Sequence, residues 1–198
     1  MCVIGVEDDL SEAVARKLVS NFIRNDIDIS VMKNRGYGYL QKNISSFIEI
    51  SRIRPTLVLT DLDQRNCAPM LVQSWCGSLQ MPPRFCLRVA EREVEAWLLA
   101  DRHGIAKWLG VSPTVIPRAP DAEVDPKRTL VEIAKRGNRE ARRCIVPSRH
   151  SASSQGFEYN DFLCKFVASR WNIASAQTNS PSLSRAMAAL AAKFTGMK

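Results

Sequence analysis

The chain predicts an α/β protein in which a mostly parallel sheet carries helices on both faces and a basic, mostly helical extension follows. Three observations carry this. Short apolar runs rich in β-branched residues alternate with stretches of helical period through the N-terminal half. Acidic residues sit at the ends of three of those runs, where the functional groups of parallel sheets gather. The charge is uneven: residues 1–101 carry 12 Lys/Arg against 13 Asp/Glu, and residues 102–198 carry 16 against 7. We read 1–110 as the α/β core and 111–198 as an extension packed on it, within one domain.

The first run, Val3-Ile4-Gly5-Val6, ends at Glu7 and predicts a strand. Leu10, Val14, Leu18 and Phe22 recur every fourth residue and predict an amphipathic helix, with Asp9 and Glu12 spaced as a capping box. Ile27 to Val31 alternates as a second strand nearer an edge. Arg35-Gly36-Tyr37-Gly38-Tyr39 is a glycine-bearing loop, followed by a helix with Leu40, Ile44, Phe47 and Ile48. Pro55 opens a third strand, Thr56 to Thr60, which runs into Asp61-Leu62-Asp63. A helix through Met70 and Trp75 leads to a fourth strand, Phe85 to Val89, which delivers Glu91, Glu93 and Glu95 into a helix bearing Trp97. Beyond residue 110, prolines 113, 117, 120 and 126 mark loops. Helices are expected over 127–143, 159–171 and 182–194, the last capped by Ser180-Pro181-Ser182.

Composition narrows the class. Of 198 residues, 45% are hydrophobic and 24% charged, ordinary for a folded domain. No stretch approaches the ~20 apolar residues that span a bilayer. The start, MCVIGVEDD, lacks the basic region of a secretory signal. Six scattered cysteines without a CxxC pair read as reduced thiols. A cytoplasmic protein without a membrane association is expected.

Each acidic cluster has two readings. Asp61 and Asp63 emerge together at a strand tip, where a hard cation such as Mg²⁺ finds oxygen ligands, yet Asp is also a favoured turn residue. Glu7 has the same geometry, and Glu7-Asp8-Asp9 also suits a helix N-terminus. Glu91, Glu93 and Glu95 equally suit a charged first turn. Together they put acids at three strand ends.

In that order, a glutamate after strand one, DxD after strand three and a further acid after strand four, the chain resembles the Toprim domain of topoisomerases, primases and OLD-type nucleases. Val58 to Asp63, the run Arg92 to Asp101 and Asp125-Pro126-Lys127 are similar to a group of stand-alone Toprim-like proteins often encoded beside ABC-type ATPases in anti-phage operons. The resemblance covers roughly residues 1–130. It implies Mg²⁺ or Mn²⁺ as cofactor, with Glu7 as acid or base and Asp61 and Asp63 as ligands. Glu93 completes the site, and Glu95 is its rival. It also implies a metal-dependent nuclease subunit acting with such an ATPase in defence. Relatives often carry glycine after the first glutamate, whereas this chain has Asp8. A catalytically degenerate, nucleic-acid-binding or regulatory subunit is therefore the alternative, and chemistry on a small phosphate is a third reading.

Lys127, Arg128, Arg139, Arg142, Arg143 and Arg149 form a cluster suited to phosphates of DNA or RNA. The competing reading is a solvated helix face. His150 is expected in an exposed loop, and Phe157, Phe162, Phe166 and Trp171, at roughly helical spacing, in the core. Of the glutamates, Glu93 is expected to aim at Asp61, and Glu95 either to support the metal ligands from behind or to form a salt bridge, for which a C-terminal arginine is one candidate.

Overall fold

The structure, a computed structural model, describes residues 1–23, 27–33 and 38–195. The chain forms two compact units, residues 1–90 with 185–198, and residues 91–184. The division falls just after the fourth strand, whereas the sequence suggests one nearer residue 110.

The first unit is built on β1 (Cys2–Val6), β2 (Ile29–Lys33), β3 (Thr56–Asp61) and β4 (Phe85–Ala90). All three pairings are parallel and the order is β2-β1-β3-β4, so the expected parallel sheet is present with β2 at an edge. Helices α1 (Asp9–Val19), α2 (Tyr39–Lys42), α3 (Ile44–Ser51) and α4 (Ala68–Cys76) fill the crossovers. β1, β3 and β4 are buried almost throughout, which is why they read as continuous apolar runs. Val3, Val58, Phe85 and Leu87 share one face, in a core with Leu40, Phe47, Leu71 and Trp75 of α2 to α4. Alternate residues Ile4, Leu57 and Leu59 are equally buried, and α1 packs against β1 and β3.

Three local expectations shift, the first being the second strand, which runs over Ile29–Lys33 rather than 27–31. The cap of α1 is Asp8, not Asp9: Asp8 is extended and its carboxylate accepts from the Ser11 amide at 2.7 Å. Glu12, freed from capping, pairs with Arg16 at 2.9 Å and with Lys33 at 2.6 Å. The helix expected from Leu40 to Ile48 is two, divided at Asn43. The glycine loop at 35–37 lies outside the described residues.

The second unit is helical: α5 (Val94–Ala100), α6 (Arg102–Leu109), α7 (Pro126–Ala134), α8 (Arg139–Ile145), α9 (Tyr159–Ser169) and α10 (Ile173–Gln177). α11 (Pro181–Phe194) begins in this unit and ends in the first. The expected helix 127–143 is two, because Gly137 lies against the Leu109 carbonyl and Asn138 starts a new helix by accepting from the Ala141 amide at 2.8 Å. α6 and α10 were not legible: both are short, with Asp101 and Asn172 as caps. Among the described residues no helix is long and apolar enough to cross a membrane. All six cysteines are free, and burial raises the Cys2 thiol to about 11.

Candidate functional site

In the sheet order β2-β1-β3-β4 the chain leaves β1 in one direction and returns past it to β3. The β1/β3 boundary is therefore the topological switch point, where crossovers diverge and leave a crevice at the carboxyl edge. Val3, Ile4 and Gly5 pair with Thr56, Leu57 and Val58. Continued to the strand ends, that register sets Glu7 opposite Thr60, with Asp61 one residue further. The contact bears it out: the buried Thr60 hydroxyl donates to Glu7 Oε1 at 2.8 Å. Glu7 is exposed and Asp61 partly buried.

Beyond β3 the chain turns at Asp63, whose φ of 52° lies in the left-handed region that Asp tolerates better than most residues. Its carboxylate meets Arg65 at 3.3 Å, near the surface. Leu62, between the two aspartates, is buried in the core and pins the turn. Asp8 also has a local reason to exist. Its extended backbone makes no demand for glycine, and its side chain is turned to the amide of α1.

Two carboxylates at adjacent strand ends match the donor set of a hard divalent cation, which commonly takes one or two from a protein and completes its shell with water and phosphate. Among the described residues no group of three or more His, Cys, Asp or Glu is arranged to hold a metal ion.

No protein-family model, curated protein or solved structure matches the chain.

Glu93 and Glu95 lie in the second unit, and their surroundings are its own. Glu93 occupies the position before α5 and accepts from the Lys127 amide at 2.9 Å, so it caps α7 from a distance. Glu95 is 2% exposed and accepts from the Tyr159 hydroxyl at 2.9 Å. Lys127 Nζ stands 3.7 Å from Glu93 and 3.6 Å from Glu95. Burial, only partly offset by Lys127, raises the Glu95 carboxyl to about 7. Glu95 does take a cationic partner, a lysine rather than an arginine.

The rest of the motif also organises this unit. Trp97 is fully buried, donates to Ser182 Oγ at 2.6 Å and accepts through its carbonyl from the Trp171 indole at 3.2 Å. Asp101 caps α6 and accepts from the Asn172 amide at 2.9 Å. Asp125 caps α7, with the Arg128 amide at 2.7 Å, and Pro126 begins that helix.

The basic residues divide by partner. Lys127 is committed to the two glutamates, and Arg143 pairs with Glu158. Arg128, Arg139, Arg142 and Arg149 are exposed and have no ion pair among the described residues. His150 is exposed, as expected. Phe162, Phe166 and Trp171 are core residues, but Phe157 is fully exposed, which corrects the expectation for it. Sequence reasoning passed over Thr60 and the contact of Tyr159 with Glu95. The signal for Thr60 was its place one residue before Asp61; nothing local pointed to Tyr159.

Proposed function

We propose that the chain is the Mg²⁺- or Mn²⁺-dependent nuclease subunit of a system that includes an ABC-type ATPase, with its reaction centre at the carboxyl edge of β1 and β3. The single observation behind this reading is the pair Glu7 and Asp61, on adjacent parallel strands at the switch point and joined through Thr60. Asp61 would hold the cation, with Asp63 as a further oxygen donor and Glu7 beside it as the acid or base. When bound, such a cation activates water and neutralises charge on a phosphodiester. The buried Thr60 hydroxyl orients the Glu7 carboxylate by donating to one oxygen, which leaves the other to accept a proton from water. The ATPase partner and the anti-phage setting are supported by the sequence resemblance alone.

A regulatory, nucleic-acid-binding role without cleavage is the second reading. It is favoured by the engagement of Glu93 with α7, which leaves fewer acids for a cation. The deciding experiment is Mn²⁺-dependent cleavage of DNA and RNA by the purified chain, alone and with any ABC-type ATPase that the neighbouring reading frame encodes. Glu7→Gln and Asp61→Asn are expected to lower the rate by about 10²-fold or more at unchanged melting temperature. Binding without cleavage in every combination would establish the second reading, and cleavage unaffected by either substitution would remove the strand edge from the reaction.

A further inference from the structure

Gly156 is locked against the end of α8. Its amide donates to the Ile145 carbonyl at 2.8 Å, and a Cβ there would run into the Cys144 carbonyl. Three residues later Tyr159 is fully buried, with its amide on the Gly156 carbonyl at 3.2 Å. Phe157 stands between these anchors, with a relative exposure of 104%. Phe47, Phe85, Phe162, Phe166 and Phe194 are all buried. A phenyl ring forgoes about 2 kcal/mol of burial when left in water, and the fixed ends of this turn give it no route inward.

The ring borders a cleft of about 500 Å³ lined by Lys135, Arg142, Arg143, Pro147 and Ser148, among others, and by no carboxylate among the described residues. Arg143 is balanced by Glu158 and Lys135 by Glu132, whereas Arg142 has no ion pair among the described residues. A flat apolar face and an uncompensated guanidinium on the same cleft match a ligand that offers a flat ring and an anion. In a duplex the base faces are already stacked on one another. An unpaired base can cover an aromatic side chain without first being unstacked from its neighbours.

We propose that this cleft binds single-stranded nucleic acid, with one base stacked on Phe157 and a neighbouring phosphate held by Arg142. The assignment rests on reading the chain as a nucleic-acid protein and names the form of strand it grips.

The test is fluorescence anisotropy of labelled oligo(dT), oligo(U) and a duplex, in EDTA so that no cleavage intervenes. Phe157→Ala is expected to weaken binding to one or both single strands by about tenfold or more, with duplex affinity unchanged. Phe157→Trp should retain parental affinity, since it keeps a stacking face. Arg142→Ala should lower the salt dependence on single strands by about 0.7 in logarithmic slope. Unchanged single-strand affinity in Phe157→Ala would overturn the proposal and leave the ring to a protein partner. Equal loss on single strand and duplex would also overturn it, as would a parent protein that binds neither. Because cleavage is not read, failure here leaves the strand-edge reaction centre to its own test.

Discussion

Glu95 is a glutamate placed where its charge is costly. Burial dominates its surroundings, with Lys127 lowering its proton affinity, Glu93 raising it and Tyr159 donating to one oxygen. Its folded value of about 7 lies above the ordinary 4.5, so the folded state holds this proton more tightly than the unfolded chain. The stabilisation is fully present below about pH 4.5 and is lost as pH rises through 7. Glu95→Gln stays neutral and should flatten that fall, worth at most about 3 kcal/mol for this one group. Urea midpoints at pH 5 and pH 8 for parent and variant check this; parallel pH dependences would show that Glu95 is ionised in the fold throughout that range.

At the scale of elements, β1 meets α3 without room to spare. A Cβ on Gly5 would lie 2.6 Å from the Phe47 ring, and Phe47 is fully buried. The glycine is there because the helix crosses the strand closely, next to the strand end that presents Glu7. Gly5→Ala should destabilise by about 1–3 kcal/mol, the usual cost of overpacking a core. The double variant Gly5→Ala with Phe47→Leu should recover part of that loss, because the smaller side chain returns the space. Thermal melts of both variants decide it; a double variant weaker than the sum of its parts would place the strain elsewhere. α5 shows the same close fitting in polar form. Its glutamates, tryptophan and terminal Asp101 each hold a named neighbour of the second unit.

For the whole molecule, the linear charge asymmetry does not survive folding. The first 101 residues are nearly neutral by sequence, but residues 185–198 join the first unit and bring three cations. The acidic stretch 91–101 joins the second. Residues 91–184 carry 14 Lys/Arg against 11 Asp/Glu, a net of +3, and the other unit carries the remaining +5. Affinity for polyanions should therefore follow individual uncompensated arginines rather than the C-terminal half as a block. Arg139→Ala is expected to lower the salt dependence of duplex binding by about 0.9 in logarithmic slope. Lys127→Ala should leave that slope unchanged, because Glu93 and Glu95 already balance its charge, and should instead lower the melting temperature by leaving buried Glu95 without its cation. Salt titrations and melts of the two variants read these effects separately; a lower slope in Lys127→Ala would return that residue to the nucleic-acid surface.

The sequence by itself determined the strands, their parallel pairing and the acids at their ends. β1, β3 and β4 are buried on both faces, so their apolar runs report the environment directly. Long amphipathic helices such as α1 and α11 were legible for the same reason. Helices too short for a period, α6 and α10, were not. Nor was the division of the helix expected over 127–143, which depends on the contact of Gly137 with a carbonyl 28 positions away. The partners of each carboxylate were decided only by tertiary structure. Glu7 meets Thr60 across 53 positions, Glu93 meets Lys127 across 34, and Glu95 meets Tyr159 across 64. Periodicity registers what a residue does within its own element. An ion pair or a buried hydrogen bond is fixed by the path of the chain between elements, and that path leaves no local mark on either residue.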